Sequence, residues 1–278
     1  MTNFRLLTVL IFYLAGWANA QSGGPSVEAS PPPSYLQLDN IPAPDFHAAS
    51  QLSAGLNPPP PLPRMPPEIA LQTYRDRATQ QAARLASYTA NSVILAQLPA
   101  TQQFAECDLQ RLYSAPKTLT FKSVRFVGDG FVKNNVIIRL LQSEVDHVQK
   151  DDPGNTALSE GNYKFAYKGT AHIQDRLVHV FQVKPRTHRA GLFKGKIYLD
   201  AYTGNLVRAE GRLAKSPSLF IKRIEFVQDY KEVGAFNFPI HIHSEAETRL
   251  VGRAIVDIYH YDYQPVPTLR TAQLTNPQ

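Results

Sequence analysis

The apolar positions of the chain recur at two spacings, one typical of helices and the other of strands. Helical spacing predicts a helix over Glu68–Ser87 and a second helix over Phe131–Val148. The apolar stripe of the first consists of Leu71, Tyr74, Ala78, Ala82 and Leu85, and that of the second of Ile137, Leu141, Val145 and Val148. Each stripe needs a surface to pack against, and the neighbouring strands are the candidates.

Runs rich in β-branched and aromatic residues, separated by turn-forming residues, predict strands over most of the remaining chain. Those before the second helix are Ser92–Leu98, Phe104–Tyr113 and Leu119–Val127. Those after it are Tyr163–Ile173, Leu177–Lys184, Gly195–Asp200, Leu206–Leu213, Ser218–Tyr230, Phe236–His243 and Thr248–Tyr263. Because short turns join the later strands, we predict an antiparallel meander and an α+β fold.

The clearest turn lies in Lys194–Leu213, between two of these strands. The side chains of Asp200 and Asn205 can bond nearby backbone groups, and Gly204 tolerates a positive φ. These residues therefore predict a tight hairpin turn.

The final predicted strand is apolar on both of its faces. One face carries Val251, Ile255, Tyr259 and Tyr261, and the other carries Ala254, Val256 and Ile258. An antiparallel sheet with one face in water shows cleaner alternation of apolar and polar residues. We therefore expect one face of the sheet to pack on the helices and the other to be covered as well or to line a cavity.

The beginning of the chain has the features of an exported protein. Leu6–Ala15 is an apolar run and Ala18-Asn19-Ala20 is a small-x-small cleavage site, so residues 1–20 are predicted to be a secretory signal peptide. The protein is then expected in the periplasm or outside the cell. Residues 21–67 are rich in proline and predict a disordered linker, either a spacer or a segment that docks into an aromatic groove of a partner. Residues 68–264 are predicted to form one domain, followed by a flexible tail over residues 265–278.

Composition argues against some classes of function. The chain has 29 lysine and arginine residues and 23 aspartate and glutamate residues, and the basic residues are spread out, so no nucleic-acid partner is expected. Cys107 is the single cysteine, which excludes an internal disulfide. We expect Cys107 to be a small buried residue rather than a nucleophile.

Histidines and carboxylates near the end of the chain are the candidates for chemistry. His241 and His243 share a face of one predicted strand, and His260 and Asp262 share a face of another. They could hold zinc if the two strands were neighbours, but no familiar ligand spacing supports such a site and we predict no metal. The nearby carboxylates are those of Glu245, Glu247 and Asp257. No nucleophile-elbow, zinc-protease or phosphate-loop motif is present, so we predict neither an enzyme nor a cofactor.

The densest basic segment lies between two predicted strands. Its basic residues include Lys184, Arg186, Arg189, Lys194 and Lys196. One interpretation is contact with an anionic membrane or cell-envelope surface. The other is an ordinary solvated loop.

The last third of the chain resembles a known superfamily. The segments that carry the resemblance are Gly195–Gly211 (GKIYLDAYTGNLVRAEG), Phe220–Val233 (FIKRIEFVQDYKEV) and Phe236–His243 (FNFPIHIH). They resemble the periplasmic lipoprotein carriers and outer-membrane lipoprotein-sorting proteins of the LolA/LolB-like superfamily. The resemblance implies a large antiparallel sheet curved into an unclosed β-barrel, with helices packed on its concave face and no enzymatic activity.

The resemblance also implies a binding role, in which the sheet holds a lipid acyl chain or a lipoprotein. We expect the cavity to be lined by Phe181, Ile197, Leu199, Phe220, Phe226, Ile240 and Ile242. An alternative stays open, since the same fold could serve as an envelope protein-interaction or structural module without a bound lipid.

Overall fold

The computed structural model describes residues 63–150, 153–216, 221–249 and 251–268. The predicted signal peptide, most of the predicted linker and most of the predicted tail lie outside these residues. Within them, no helix is both long enough and apolar enough to cross a membrane.

Apart from short 3-10 turns, the part of the chain that the structure describes has two helical segments. The first, α1, spans Pro67–Arg84. The second runs without interruption through α2 (Gly130–Val132), a π-helical turn (Lys133–Ile137) and α3 (Ile138–Lys150), and we call this whole segment the crossover helix. Proline is tolerated at the start of α1 because the first N–H groups of a helix have no helical partner.

In the described ranges, ten strands form one sheet with the order β3-β2-β1-β10-β9-β8-β7-β6-β5-β4, and neighbouring strands pair antiparallel. The strands are β1 (Leu85–Leu98), β2 (Gln103–Ser114), β3 (Thr118–Gly128), β4 (Tyr163–Ile173), β5 (Arg176–Pro185), β6 (Phe193–Asp200), β7 (Leu206–Leu213), β8 (Ile221–Val233), β9 (Phe236–Thr248) and β10 (Arg253–Pro267). Within the described residues, β3 and β4 stand at opposite ends of this order and do not pair. The predicted fold class, an α+β protein with an unclosed antiparallel barrel, is confirmed.

The crossover helix connects the two edges of the sheet. The chain runs from β1 outward to β3 at one edge, passes through the crossover helix, and resumes as β4 at the other edge. It then meanders back until β10 pairs with β1. The crossover helix therefore has to pass over one face of the sheet, which we call the inner face, and the opposite face is the outer face.

The core lies between the inner face and the two helical segments. α1 lies beside β6, and the crossover helix lies beside β1, β2 and β3. Buried helix residues share one cluster with buried strand residues; the helix members are Leu71, Tyr74, Ala78, Val132, Val136, Ile137 and Leu140. The predicted packing of helices on the concave face is thus confirmed.

The start of the crossover helix is fixed by two residues after β3. Gly128 has a φ of 107°, and a Cβ there would lie 2.5 Å from the carbonyl oxygen of Phe104. Asp129 then caps the helix, since its Oδ1 accepts hydrogen bonds from the N–H groups of Phe131 and Val132 at 2.7 and 3.2 Å. A side chain at Gly128 or the loss of the Asp129 carboxylate would disturb the entry of the chain into this helix.

The predicted hairpin turn between β6 and β7 is confirmed. Asp200 Oδ1 accepts hydrogen bonds from the N–H groups of Tyr202 and Thr203, each at 2.9 Å. Gly204 has a φ of 72°, and a Cβ there would lie 3.1 Å from the carbonyl oxygen of Ala70 in α1. The turn therefore both reverses the chain and supports α1.

The first strand begins earlier than the sequence pattern predicts. The predicted helix extends to Ser87 and the predicted strand starts at Ser92, but α1 ends at Arg84 and β1 starts at Leu85. Leu85 pairs with Pro267 of β10, and Ser87 pairs with both β10 and β2. Pairing on two sides outweighs the helical pattern of this segment.

The expectation that the outer face is also covered is wrong for β10. Tyr259 and Tyr261 are 42% and 46% exposed, whereas Ala254, Val256 and Ile258 are buried on the inner face. Val251 lies before β10 rather than in it. The outer aromatic residues are partly covered by cross-strand neighbours, and His241 stacks on Tyr259 with ring centres 4.5 Å apart.

Candidate functional site

A charged side chain occupies the inner face of β2. Inner positions along this strand are Ala105, Cys107, Leu109, Arg111 and Tyr113, all buried. Opposite Arg111, the crossover helix presents Glu144, and Arg111 Nη2 lies 2.6 Å from Glu144 Oε2. The side chains of Arg111 and Glu144 are 3% and 0% exposed. A buried ion pair thus joins the sheet to the helix that covers it.

Several polar atoms around this ion pair lack a hydrogen-bond partner among the described residues. They are Arg111 Nε and Nη1, both carboxyl oxygens of Glu144, and His260 Nε2, all buried. Glu144 Oε2 is close to Arg111 Nη2 as an ion pair but does not have hydrogen-bond geometry. The other ring nitrogen of His260, Nδ1, lies 2.7 Å from Ser92 Oγ. Buried polar atoms normally have partners, so the cluster retains capacity to bind a further polar group.

The environment of the ion pair favours charge pairing over solvation. Burial is the largest single influence on the pKa of Arg111 and lowers it, but Glu144, Tyr88 and Tyr263 together raise it more, so that the net direction is upward. Burial raises the pKa of Glu144, and Arg111 opposes this without cancelling it. Burial, and then the charge of Arg111, keep the pKa of His260 well below its ordinary value. The carboxyl group of Glu144 therefore lies beside a cationic guanidinium and close to a neutral imidazole.

Aromatic rings surround the polar atoms. The guanidinium of Arg111 lies 5.1 Å from the ring centre of Phe121. The ring centres of Tyr88 and Tyr263 are 5.6 Å apart, and that of His260 is 6.3 Å from that of Tyr263. The ion pair thus lies among apolar and aromatic side chains on an inner face that also carries the buried polar residues Ser92, His179 and Gln228. An apolar surface with a few polar groups suits an amphiphilic ligand.

The predicted cavity residues lie mainly on the part of the inner face beside α1. The residues buried there in the common core cluster are Phe181, Ile197, Leu199, Phe226 and Ile242. Ile240 is half-buried beside a register shift between β8 and β9, and Phe220 lies outside the described residues. These side chains pack against one another and against helix residues, so contact with a ligand stays a prediction.

A separate cavity of about 250 Å³ lies beside α1. Its walls include Arg77, Arg84 and Glu232. The side-chain amide of Gln81 borders it and bonds both the N–H and the carbonyl oxygen of Asn237, at 2.8 and 3.0 Å. Walls with this many charged and amide groups suit an acyl chain less well than the apolar inner face does.

The predicted basic segment is partly engaged in local contacts. Arg186 Nε donates to the carbonyl oxygen of Glu160 at 2.6 Å, and Arg189 Nη2 donates to Asn162 Oδ1 at 2.9 Å. Lys196 Nζ lies 3.5 Å from Glu210 Oε1. Lys184 and Lys194 are exposed. The arginines hold the preceding loop in place, and contact with an anionic surface stays a prediction.

The histidines considered for zinc are divided between the two faces of the sheet. On the outer face, Asp257 Oδ1 lies 3.1 Å from His241 Nε2 and 2.9 Å from His243 Nδ1. His260 points to the inner face, and Asp262, with a φ of 53°, is exposed at a bulge. The three-ligand site considered from the sequence is therefore not assembled, and the described part of the chain contains no cluster suited to a metal ion.

Arg111 and Glu144 were not recognised from the sequence. The predicted stripe of the second helix included Leu141, Val145 and Val148, but these are only half-buried. The face that is buried carries Ile137, Leu140, Glu144 and His147. A signal was present in β2, where Arg111 continues the apolar alternation that begins at Ala105.

Comparison with solved structures finds proteins of similar fold at low sequence identity. A LolA superfamily protein from Nitrosomonas europaea is 11% identical, with a TM-score of 0.41 over 75% of this chain and 97% of that protein. A domain assigned to outer membrane lipoprotein sorting, from Vibrio parahaemolyticus, is 12% identical, with a TM-score of 0.35 over 73% of this chain and 95% of that domain. A DUF1329 family protein from Desulfovibrio piger is 8% identical, with a TM-score of 0.34 over 75% of this chain and 94% of that protein.

One of these structures belongs to the superfamily that the last third of the sequence resembles, but at TM-scores below 0.5 the likeness carries no argument. No protein-family model matches the chain, and no curated protein matches its sequence. Because identities this low do not transfer a ligand or a partner, the functional argument rests on the chain's own residues.

Proposed function

We propose that this protein binds the acyl chain of a lipid or lipoprotein on its inner face, as a non-enzymatic binding protein of the cell envelope. The observation that carries the proposal is the crossover helix. It covers an apolar face of the sheet and is joined to that face by a buried ion pair. When the helix moves away, the apolar residues beneath it become accessible and the acyl chain binds to them in place of the helix.

The π-helical turn supports movement of this helix. Such turns interrupt the regular hydrogen-bond pattern of a helix and occur frequently at functional sites. The turn spans Lys133–Ile137, and the residues that follow it in α3 include Leu140 and Glu144, which contact the core. Bending at the turn would lift α3 while α2 stays capped by Asp129.

The energetics of this exchange are plausible for an acyl chain. Each buried methylene is worth about 0.8 kcal/mol, so an acyl chain with about 12 methylenes offsets about 10 kcal/mol of lost helix packing. A short polar ligand could not compensate in this way.

The proposed location follows from the sequence. Residues 1–20 are proposed to direct export, residues 21–67 to tether a domain that spans residues 68–264, and the protein to act in the periplasm or outside the cell. The exposed lysines Lys184 and Lys194 are proposed to approach anionic membrane surfaces from which the lipid is collected.

The test begins with lipid that co-purifies with the full chain. Mass spectrometry of an organic extract is expected to detect stoichiometric acyl lipid, and the delipidated protein is expected to bind a fluorescent fatty-acyl probe. Ala96, buried on the inner face of β1, provides a variant, because Ala96→Leu fills part of the surface. Gln97 is its exposed neighbour on the outer face and provides the matched control Gln97→Leu.

We expect Ala96→Leu to weaken probe binding while Gln97→Leu leaves it unchanged. Circular dichroism of both variants verifies that they are folded. A protein free of lipid that also fails to bind the probe would rule out the proposal and favour the envelope protein-interaction module.

A further inference from the structure

We propose that the ligand is a free fatty acid whose carboxylate binds Arg111, with its head group directed into the protein. This inference rests on the proposed function, because it assigns a chemical class to the acyl ligand of the same site. It concerns the polar spot formed by Arg111, Glu144 and His260 on the inner face.

The first argument is that the site already holds a carboxylate. Glu144 Oε2 lies 2.6 Å from Arg111 Nη2, inside an apolar surface. A fatty acid offers the same functional group at the end of an apolar chain. The crossover helix thus occupies the site in the way that the proposed ligand would, with a carboxylate on Arg111 and apolar groups on the neighbouring strands.

The second argument concerns charge. When the crossover helix moves away, it takes Glu144 with it and leaves the charge of Arg111 without its partner. Leaving one member of a buried ion pair uncompensated is strongly unfavourable. An ester-linked acyl chain cannot correct this, whereas a fatty-acid carboxylate restores the pair. The exchange of one carboxylate for another therefore favours an anionic head group over a neutral one.

The third argument is the unused binding capacity of Arg111. Its Nε and Nη1 lack hydrogen-bond partners among the described residues, so Glu144 uses only part of the guanidinium. A carboxylate that can adjust its position is able to bind an arginine through two parallel hydrogen bonds. His260 Nε2 is a further unpartnered polar atom of the same cluster.

No other anchor of this kind is present on the described inner face. Within the described ranges, Arg111 is the one arginine or lysine that is buried. The position of the head group is therefore defined by a single cation, and the acyl chain extends from it along apolar residues of the sheet.

The test compares laurate with methyl laurate, which differ in the charge of the head group. Binding to the delipidated full chain is measured by displacement of a fluorescent fatty-acyl probe. We expect laurate to bind at least about tenfold more tightly than the ester. Dodecyl phosphate forms a third arm, and binding as tight as that of laurate would overturn the assignment to a carboxylate.

Substitutions at Arg111 and at Glu144 distinguish the roles of these two residues. Arg111→Met is expected to bring the affinity for laurate down to that for the ester. Glu144→Gln weakens the closed form for either ligand, so it is expected to tighten both and leave their ratio unchanged. Arg125, an exposed arginine on β3 with a 58% exposed side chain, provides the control Arg125→Met, for which no change is expected.

If Arg111→Met does not fold, Arg111→Met with Glu144→Leu removes both charges and keeps the prediction testable. That double variant is expected to bind laurate and the ester equally. Equal binding of the two ligands by the unmodified protein would overturn this inference but leave the proposed acyl binding intact. Failure of both ligands to bind would overturn acyl binding itself.

Discussion

Replacing Glu144 by leucine removes the carboxylate that pairs with Arg111 and leaves a buried guanidinium without its counter-charge. At 2.6 Å and an effective dielectric constant of about 20, the attraction between the two charges is about 6 kcal/mol, and desolvation offsets most of it. The cost of breaking the pair is larger than its net worth, because Arg111 is only 3% exposed and cannot regain its hydration. Glu144→Leu is therefore expected to lower the free energy of unfolding by about 3–5 kcal/mol.

Removing both charges is expected to leave the free energy of unfolding unchanged or to raise it. The double variant, Arg111→Met with Glu144→Leu, places two apolar side chains of similar length between β2 and the crossover helix. Replacing a buried ion pair by packed apolar residues is often neutral or stabilising by about 1–4 kcal/mol. The second substitution is thus expected to restore the stability that the first removes.

Guanidinium chloride unfolding, followed by far-UV circular dichroism at neutral pH, measures these differences. The unmodified protein, Arg111→Met, Glu144→Leu and the double variant complete a double-mutant cycle. A loss of less than about 1 kcal/mol for Glu144→Leu, the value of an exposed pair, would refute the reasoning. A double variant as unstable as the sum of the single variants would refute it equally.

The remaining predictions concern a histidine, a strand glycine and a helix cap. His260 becomes protonated below about pH 6.5 in the unfolded chain, whereas its pKa in the folded protein is lower, so the free energy of unfolding falls on acidification by up to about 1.4 kcal/mol per pH unit. When unfolding is measured across pH, His260→Asn should make the free energy of unfolding depend less on pH below about 6.5. The same pH dependence in the variant and the unmodified protein would contradict this. A Cβ on Gly195 would lie 1.9 Å from the carbonyl oxygen of Glu210, so Gly195→Ala is expected to lower the free energy of unfolding by about 2 kcal/mol or more. In the control Gly161→Ala the new Cβ meets nothing closer than 3.8 Å, and little change in thermal stability is expected. Equal effects of the two substitutions would argue against the close approach of β6 and β7. Asp129→Ala removes the cap of the crossover helix and is expected to lower the free energy of unfolding, measured with denaturant, by about 1 kcal/mol. A loss no larger than that caused by a substitution at an exposed turn residue would count against the cap.

The sequence predicted the elements whose signals are local. The hairpin turn depends on Asp200 and Gly204, which act on backbone groups within a few residues, so it could be predicted correctly. The position of the second helix was predictable from the helical spacing of its apolar residues, and the structure adds the cap by Asp129. The α+β class and the antiparallel meander follow from such local signals together with short connections between strands, whereas the unclosed barrel was implied by the resemblance to the LolA/LolB-like superfamily.

The site depends on contacts that the sequence pattern does not encode. The stripe of the second helix was assigned from apolar residues alone, but Glu144 and His147 lie on its buried face because Arg111 and neighbouring groups provide polar partners there. The pairing of Arg111 with Glu144 can be recognised only when the path of the crossover helix over β2 is known. For β10, Tyr259 and Tyr261 led to the wrong prediction that the outer face is covered, since aromatic residues also occur on a solvated sheet face.

The pairing of β1 with β10 has a consequence for how the chain acquires its structure. Leu85 pairs with Pro267 and Gln97 with Ile255, so one of the first strands of the described chain gains its second neighbour only from the last strand. Pairings between such distant segments slow folding, because a long loop must close before any contact stabilises it. The sheet therefore cannot be completed until the last strand has been synthesised. If residues 1–20 direct export as proposed, a chain whose sheet is still incomplete is one that can be threaded through a membrane pore.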